Sequence, residues 1–504
     1  MPKRMIKVVF TTHRVLGTLL SFLFLVWFLS AFVMMYHSFP MLTPEEIKQK
    51  LEVMDENLPP LDSVLSQLPA GEKVKQITLS RQVGFTAFQI ETDQNKYVLP
   101  AKIGESAPEV DGAYINKVAR IWCKADIVKI DTLNAVDQWI PFEKVKKEFP
   151  IYKFYYNDEK EHQLYVGSKS GKPLQFTDRD SRFWAYLGAI PHWVYFAQLR
   201  SHTDLWKSVV VGSSLIGCFM VISGLWIGID VWRKTRKKKN KYNKKRAFSP
   251  YKKKWYHWHY LTGIVFGITV FTFCFSGMMS LVTIPQWICK TTLKENPVET
   301  IASQPFALDS VGDYRVIFSK YKEVKEIEWR HFGNVNYWMV RNGKKKIYLD
   351  AADEKLLPLK LTKEEVVRTL SLVHPFHQMN ISLLKEFETH YRDMSRMHKG
   401  KDLLPVWKVT VNDPDESYYY ILPTTGEVKY LNRADRLRYW TYTALHRLRI
   451  PGLNSSPNLR KTVLWVLLLG GTAVSLTGVV LGVGYIKRKC KRRPTNRRSM
   501  RATS

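Results

Sequence analysis

Four stretches of the chain, at roughly 15–36, 205–229, 261–284 and 462–486, are almost continuously apolar. Each is long enough to cross a bilayer, which needs about 20 residues of helix. The pattern changes between the first and second runs, and again between the third and fourth. Short alternating runs at 86–91 and 96–99 read as strands. Thr43-Pro44-Glu45-Glu46 reads as a helix start, with a capping residue, a proline in the first turn and early acids. Helices are expected at 44–54 and 362–372. The fold class predicted is an α-helical membrane protein with α+β outer domains.

The second half of the chain repeats the first. His13-Arg14-Val15-Leu16-Gly17 opens the first apolar run, and His259-Tyr260-Leu261-Thr262-Gly263 opens the third, 246 residues later. Ser30-Ala31 and Ser276-Gly277 each lie 17 residues after their histidine. Strand–glycine-turn–strand patterns recur around Gly171 and Gly426, 255 apart. His192 and His446, Lys207 and Lys461, Gly224 and Gly478, and Gly228 and Gly482 are each 254 apart. The expected organisation is a tandem repeat of two units, each a helix, an outer domain and a helix. Its segments are 1–14 (inner terminus), 15–36 (span), 37–204 (outer domain), 205–230 (span) and 231–256 (basic loop), then 257–284 (span), 285–461 (outer domain), 462–486 (span) and 487–504 (basic tail).

The net charge of +32 would fit a nucleic-acid binder, but its placement argues otherwise. Segments 1–14, 231–254 and 487–504 together hold 26 of the 77 Lys and Arg residues, leaving 51 basic against 45 acidic residues elsewhere. All three flank apolar runs, as the positive-inside rule expects of cytoplasmic segments. The reading is therefore both termini cytoplasmic, both large segments outside, and no nucleic acid. A polybasic loop beside a membrane can hold anionic lipid, and Asp230 is expected to balance it. The first run is too long for a secretory h-region and lacks a small-x-small site, so it reads as a retained span. Five scattered cysteines include no CxxC or CxxCH, the spacings that covalent haem attachment and a cysteine-rich zinc site use. Cys123 and Cys289 lie outside the spans and are left open as a disulfide.

Four histidines occupy matched positions, two per half. His13 and His259 start on the inner side, and His192 and His446 lie outside. A neutral imidazole is a strong iron ligand, and haem b held by histidines from facing helices suits a four-helix bundle. Gly17 and Gly263 fall four residues after the inner histidines, on the same helix face, leaving room for a flat macrocycle or for close helix contact. His257 competes with His259 as the inner ligand, and His37 and His202 compete with the outer pair. His374 and His377, with His390 and His398 beyond, are a weaker candidate for a separate metal or iron-chelate site.

Arg438-Tyr439-Trp440-Thr441-Tyr442-Thr443-Ala444-Leu445-His446, with Pro405-Val406-Trp407 and Asn412-Asp413-Pro414 upstream, resembles the PepSY-associated transmembrane proteins of bacteria. Ile190-Pro191-His192-Trp193, the two inner His-to-Gly motifs and the strand-turn-strand at 420–427 fit the same pattern. That family includes iron-regulated membrane proteins and ferric-siderophore reductases. The resemblance implies four spans, two haem b groups on His13, His192, His259 and His446, and a place in the bacterial inner membrane. It also implies oxidoreductase activity, with electrons crossing to a periplasmic ferric siderophore or other chelate and iron released as Fe(II). His257-Trp258-His259 departs from the family's adjacent histidines, and the first outer domain resembles a PepSY unit only loosely. With no nucleotide or flavin motif in the chain, a quinol or a cytoplasmic reductase must supply the electrons. Two other readings stay open: a non-catalytic PepSY protein that binds or restrains a periplasmic partner, and a siderophore transporter.

Overall fold

The computed structural model of the chain describes residues 3–102, 104–241, 249–293, 296–302, 306, 311–352, 355–391 and 403–491. Among them, four helices are long and apolar enough to span a membrane: Lys3–Met34, Thr203–Lys241, Lys254–Met279 and Pro457–Lys491. Three run beyond the apolar stretch at their basic ends, because Lys and Arg are good helix formers that need no core. The third stops at Met279, short of position 284, with Ser280 as its cap. Pro285 lies beyond, and the residue before a proline is pushed out of helical geometry. The first helix packs against the second and fourth, and so does the third, so the first and third face each other across a diagonal. Asp230 pairs with Lys234 one turn on, at 2.6 Å.

Each outer segment runs through three strands, a helix and four strands. In the first segment β1–β3 are Val74–Gln82, Phe85–Thr92 and Lys96–Pro100. Helix Gly112–Trp122 follows, then β4–β7 at Ile127–Leu133, Ile151–Tyr156, Gln163–Gly167 and Pro173–Thr177. In the second segment β8–β10 are Val324–Phe332, Val335–Asn342 and Lys345–Asp350. Helix Lys363–Val373 follows, then β11–β14 at Met379–Leu384, Val406–Val411, Tyr418–Ile421 and Val428–Leu431. Strands β4–β7 and β11–β14 form two separate four-stranded sheets. The helix expected at 44–54 is shorter, Pro44–Gln49. It has the expected Thr43 capping box, but the chain then turns extended so that Glu52 can bridge to Arg81.

The first three strands of each segment do not form separate sheets. They join as one six-stranded sheet in the order β10-β9-β8-β1-β2-β3. The seam is the antiparallel β1–β8 pair, with Ile77 opposite Trp329 and Leu79 opposite Ile327. All four of these side chains are fully buried. Burying each contributes about 1.5–3 kcal/mol, so the seam is a core and not a contact of convenience. Charge reinforces it. Arg341 on β9 is fully buried and donates to Glu326 of β8 at 3.1 Å and to Glu45 of the first segment at 2.5 Å. Lys48 reaches back to Glu326 at 2.9 Å, and Lys346 to Glu45 at 2.7 Å.

Arg341→Met leaves Glu326 buried with only Lys48 beside it. It is expected to destabilise the outer region by about 3 kcal/mol, read as a lowered thermal midpoint. The same cluster sets a pH dependence. Partial burial raises the Glu45 pKa, but Arg341 and Lys346 outweigh it and hold the carboxyl at about 2, against its ordinary 4.5. Its contribution is therefore complete above about 4.5 and lost as pH falls toward 2. Glu45→Gln should flatten that acid limb of the stability profile, and an unchanged limb would contradict the assignment.

Candidate functional site

Two pairs of histidines meet inside the helix bundle. His13 on the first spanning helix faces His259 on the third, with ring centroids 6.3 Å apart and planes turned by 41°. His192 and His446 sit in the short helices Ala189–Trp193 and Leu445–Arg447, just ahead of the second and fourth spanning helices. Their centroids are 6.2 Å apart and their planes turned by 56°. His192 touches the first spanning helix at Trp27 and Ser30, 14 and 17 residues beyond His13. At 1.5 Å per residue the pairs are about 20–25 Å apart along the bundle.

The four rings are held alike. His13 Nδ1 lies 3.0 Å from the Met220 carbonyl oxygen and 3.4 Å from Ser223 Oγ. His259 Nδ1 lies 3.0 Å from Thr477 Oγ1 and against the Val474 carbonyl. His192 Nδ1 is 3.1 Å from the Trp27 carbonyl and 3.2 Å from Ser30 Oγ. His446 Nδ1 is 3.1 Å from Ser276 Oγ and against the Phe273 carbonyl. A carbonyl only accepts, so Nδ1 carries the proton in His13 and His192, and in the neutral ring Nε2 keeps its lone pair. Among the described residues no Nε2 of the four makes a hydrogen bond. Met220 and Val474 are 254 apart and Trp27 and Phe273 are 246 apart, so the same contacts recur in both halves.

Local backbone brings the outer histidines in. The chain leaves each short helix through a left-handed residue two positions on, Val194 at φ 55° and Leu448 at φ 48°. For a non-glycine residue this costs about 1–3 kcal/mol and persists only where packing demands it. Ahead of His446, residues Tyr439–Ala444 are wound as a π-helix, a form common at functional sites.

A cavity of about 510 Å³ surrounds the inner pair, lined among others by His13, Gly17, Gly224, His259 and Gly263. Lys7, Arg14 and Arg488 line it too. A Cβ on Gly263 would meet nothing within 4 Å, and one on Gly17 only Met220 Sδ at 3.9 Å. Close helix packing therefore does not demand these glycines, which border open space. Gly224 is the constrained one: a Cβ there would stand 2.5 Å from His13 Cε1. Between the two pairs lies an aromatic plug. Phe24 and Phe28 are buried, Phe28 meets Phe273 edge-on at 6.1 Å, and Phe273 meets His446 at 5.8 Å.

The other candidates lie elsewhere. His257 packs edge-on against Trp258, so His259 is the partner of His13. His37 stacks on Trp184 at 4.4 Å, and His202 Nδ1 is 2.9 Å from the Gln198 carbonyl oxygen. His374 is buried in the second outer segment, 2.7 Å from the Tyr419 hydroxyl, with His377 beside it. Burial holds the His374 imidazole below its ordinary range, although Asp413 pulls the other way. His390 packs against Tyr439, and His398 lies outside the described residues. Cys123 and Cys289 are both free thiols.

Four apolar helices with sheet-rich regions at one end of the bundle define a multi-pass membrane protein. Residues 128–310 match the model of the family described as the PepSY-associated TM region. That match covers 183 of the 504 residues and takes in His192 and His259. No curated protein matches the chain.

Sequence reasoning found the four histidines but gave no role to the groups that orient them. Ser30, Ser276 and Gly224 served only as landmarks of the repeat, and their matched spacing was the available signal. Above the plug, a Cβ on Gly471 would come within 2.2 Å of the Phe28 ring. Overpacking of this kind costs about 1–3 kcal/mol. Gly471→Ala should lower the thermal midpoint of the detergent-solubilised protein, and an unshifted midpoint would show that the plug gives way freely.

Proposed function

We propose that this chain is a haem b protein of the bacterial inner membrane that passes electrons outward to reduce periplasmic ferric siderophores or other ferric chelates. His13 and His259 would hold one haem and His192 and His446 a second, in two halves built as a tandem repeat. The observation that carries the reading is the spacing of the two ring pairs. A metal–imidazole bond is about 2.0 Å and the ring centre lies roughly 1.2 Å behind the nitrogen, so two imidazoles holding one ion from opposite sides would stand about 6.4 Å apart. The observed 6.3 and 6.2 Å fit that distance.

The surrounding residues fit as well. Ligating histidines usually give their second N–H to a carbonyl or carboxylate, which fixes the tautomer and orients the ring. Here Met220, Val474, Trp27 and Phe273 supply those carbonyls. The inner cavity falls within the range of cofactor sites, and Lys7, Arg14 and Arg488 suit the carboxylates of a haem. Haem b, when bound, supplies a one-electron carrier near each end of the bundle. The chain's part is to place the two sites, keep water from between them with Phe24, Phe28 and Phe273, and need no general acid, base or nucleophile. A quinol or a cytoplasmic reductase would donate on the side of the basic segments, where anionic lipid would gather against the 231–254 loop. The ferric chelate would meet the sheet-bearing end.

His446→Ala and His13→Ala are each expected to lose half of the bound haem while keeping the other half in a low-spin spectrum. Dithionite-reduced His446→Ala should then be reoxidised by ferric citrate at least about tenfold more slowly than the parent protein. Undiminished haem in both variants would overturn the ligand assignment. Undiminished reoxidation in His446→Ala would overturn the direction of transfer.

A further inference from the structure

In the first outer segment three side chains that play no part in the bundle converge. The thiol of Cys123, a carboxylate oxygen of Asp158 and a ring nitrogen of His162 all lie within 4.8 Å of one another, and each residue is half-buried. Cys123 ends helix Gly112–Trp122, while Asp158 and His162 belong to the turn between β5 and β6. We propose that Cys123, Asp158 and His162 form a binding site for one thiophilic divalent cation, zinc in the first instance, that clips the end of this helix to the turn.

The parts are already restrained. Asp158 Oδ1 accepts from the His162 backbone N–H at 2.9 Å, and Oδ2 faces His162 Nδ1 at 2.5 Å. The imidazole lies flat on Phe176, 4.7 Å between centroids and 6° between planes, which fixes its ring plane. Zinc takes sulfur at about 2.3 Å and nitrogen or oxygen at about 2.0–2.2 Å, so its ligand atoms stand roughly 3–4 Å apart. A thiolate, an imidazole and a carboxylate suit zinc better than a hard cation, and three protein ligands leave a fourth position for water.

The second outer segment provides an internal control. There the helix ends at His374, and the matching turn is closed by Asp413 and Ser417. Ser417 donates its backbone N–H to Asp413 Oδ1 at 2.8 Å and its hydroxyl to Oδ2 at 2.7 Å. A serine thus closes the turn as well as a histidine does. His374 is bonded to the Tyr419 hydroxyl at 2.7 Å. Cys123 has no such partner: among the described residues its thiol makes neither a disulfide nor a hydrogen bond. Folding of the turn accounts for the aspartate, but not for the histidine and cysteine that stand beside it.

The test uses chelator-treated full-length protein in detergent, dialysed against micromolar Zn²⁺, with bound metal counted per chain by elemental analysis. Cys123→Ser and His162→Ser are each expected to hold one zinc fewer than the parent. His162→Ser installs the residue that closes the matching turn, so the fold is kept. Zinc should also slow alkylation of Cys123 at least about tenfold, as mapped by mass spectrometry, while the exposed Cys490 reacts as before. Equal zinc content in the parent and His162→Ser, or alkylation of Cys123 indifferent to zinc, overturns the proposal. Neither readout depends on haem.

Discussion

The bundle is governed by one constraint: four imidazoles inside it each set Nδ1 against a backbone carbonyl or a hydroxyl of a neighbouring helix. A donor withdrawn from water without a partner costs about 1–3 kcal/mol, so each ring is pinned where its partner lies. The pinning fixes more than position. In His13 and His192 it makes Nδ1 the protonated nitrogen, and both pairs stand at a spacing that one metal ion would bridge. Gly224 lets the second helix come close enough for the His13 contact. The outer histidines reach their carbonyls because Val194 and Leu448 accept a strained left-handed backbone.

The outer region answers a mechanical need of the same design. The two halves whose histidines meet in pairs inside the bundle are also joined beyond it. The six-stranded sheet does this, with Ile77, Leu79, Ile327 and Trp329 buried at its seam and Arg341 joining both segments through carboxylates. The π-helical approach to His446 follows β14 of the separate four-stranded sheet within two helical turns.

Much of this was legible in the chain because it is local or periodic. Spans follow from runs of apolar residues, and the histidines follow from equal offsets. What was missed is spatial. Nothing in the alternation at 74–82 or 324–332 says that those strands pair with each other, since pairing is set by the approach of segments some 250 residues apart. The helix at 44–54 was overextended because its capping signal is strong, while the bridge from Glu52 to Arg81 that ends it is a tertiary contact. Cys123 was weighed only as a disulfide partner, because its neighbours Asp158 and His162 are 35 or more positions away. Gly17 and Gly263 stood out by their spacing, but spacing alone could not tell an open cavity from a tight helix crossing.

The central claim is that the paired histidines would hold haem b, and the most direct measurement is the haem content of the purified protein. Pyridine haemochrome quantitation with a reduced-minus-oxidised visible spectrum is expected to give two non-covalent b-type haems per chain, both low-spin. One haem would retain the chemistry but remove one pair from it. No haem, in protein produced with ample haem supply, would contradict the account and leave the four histidines as a structural clasp.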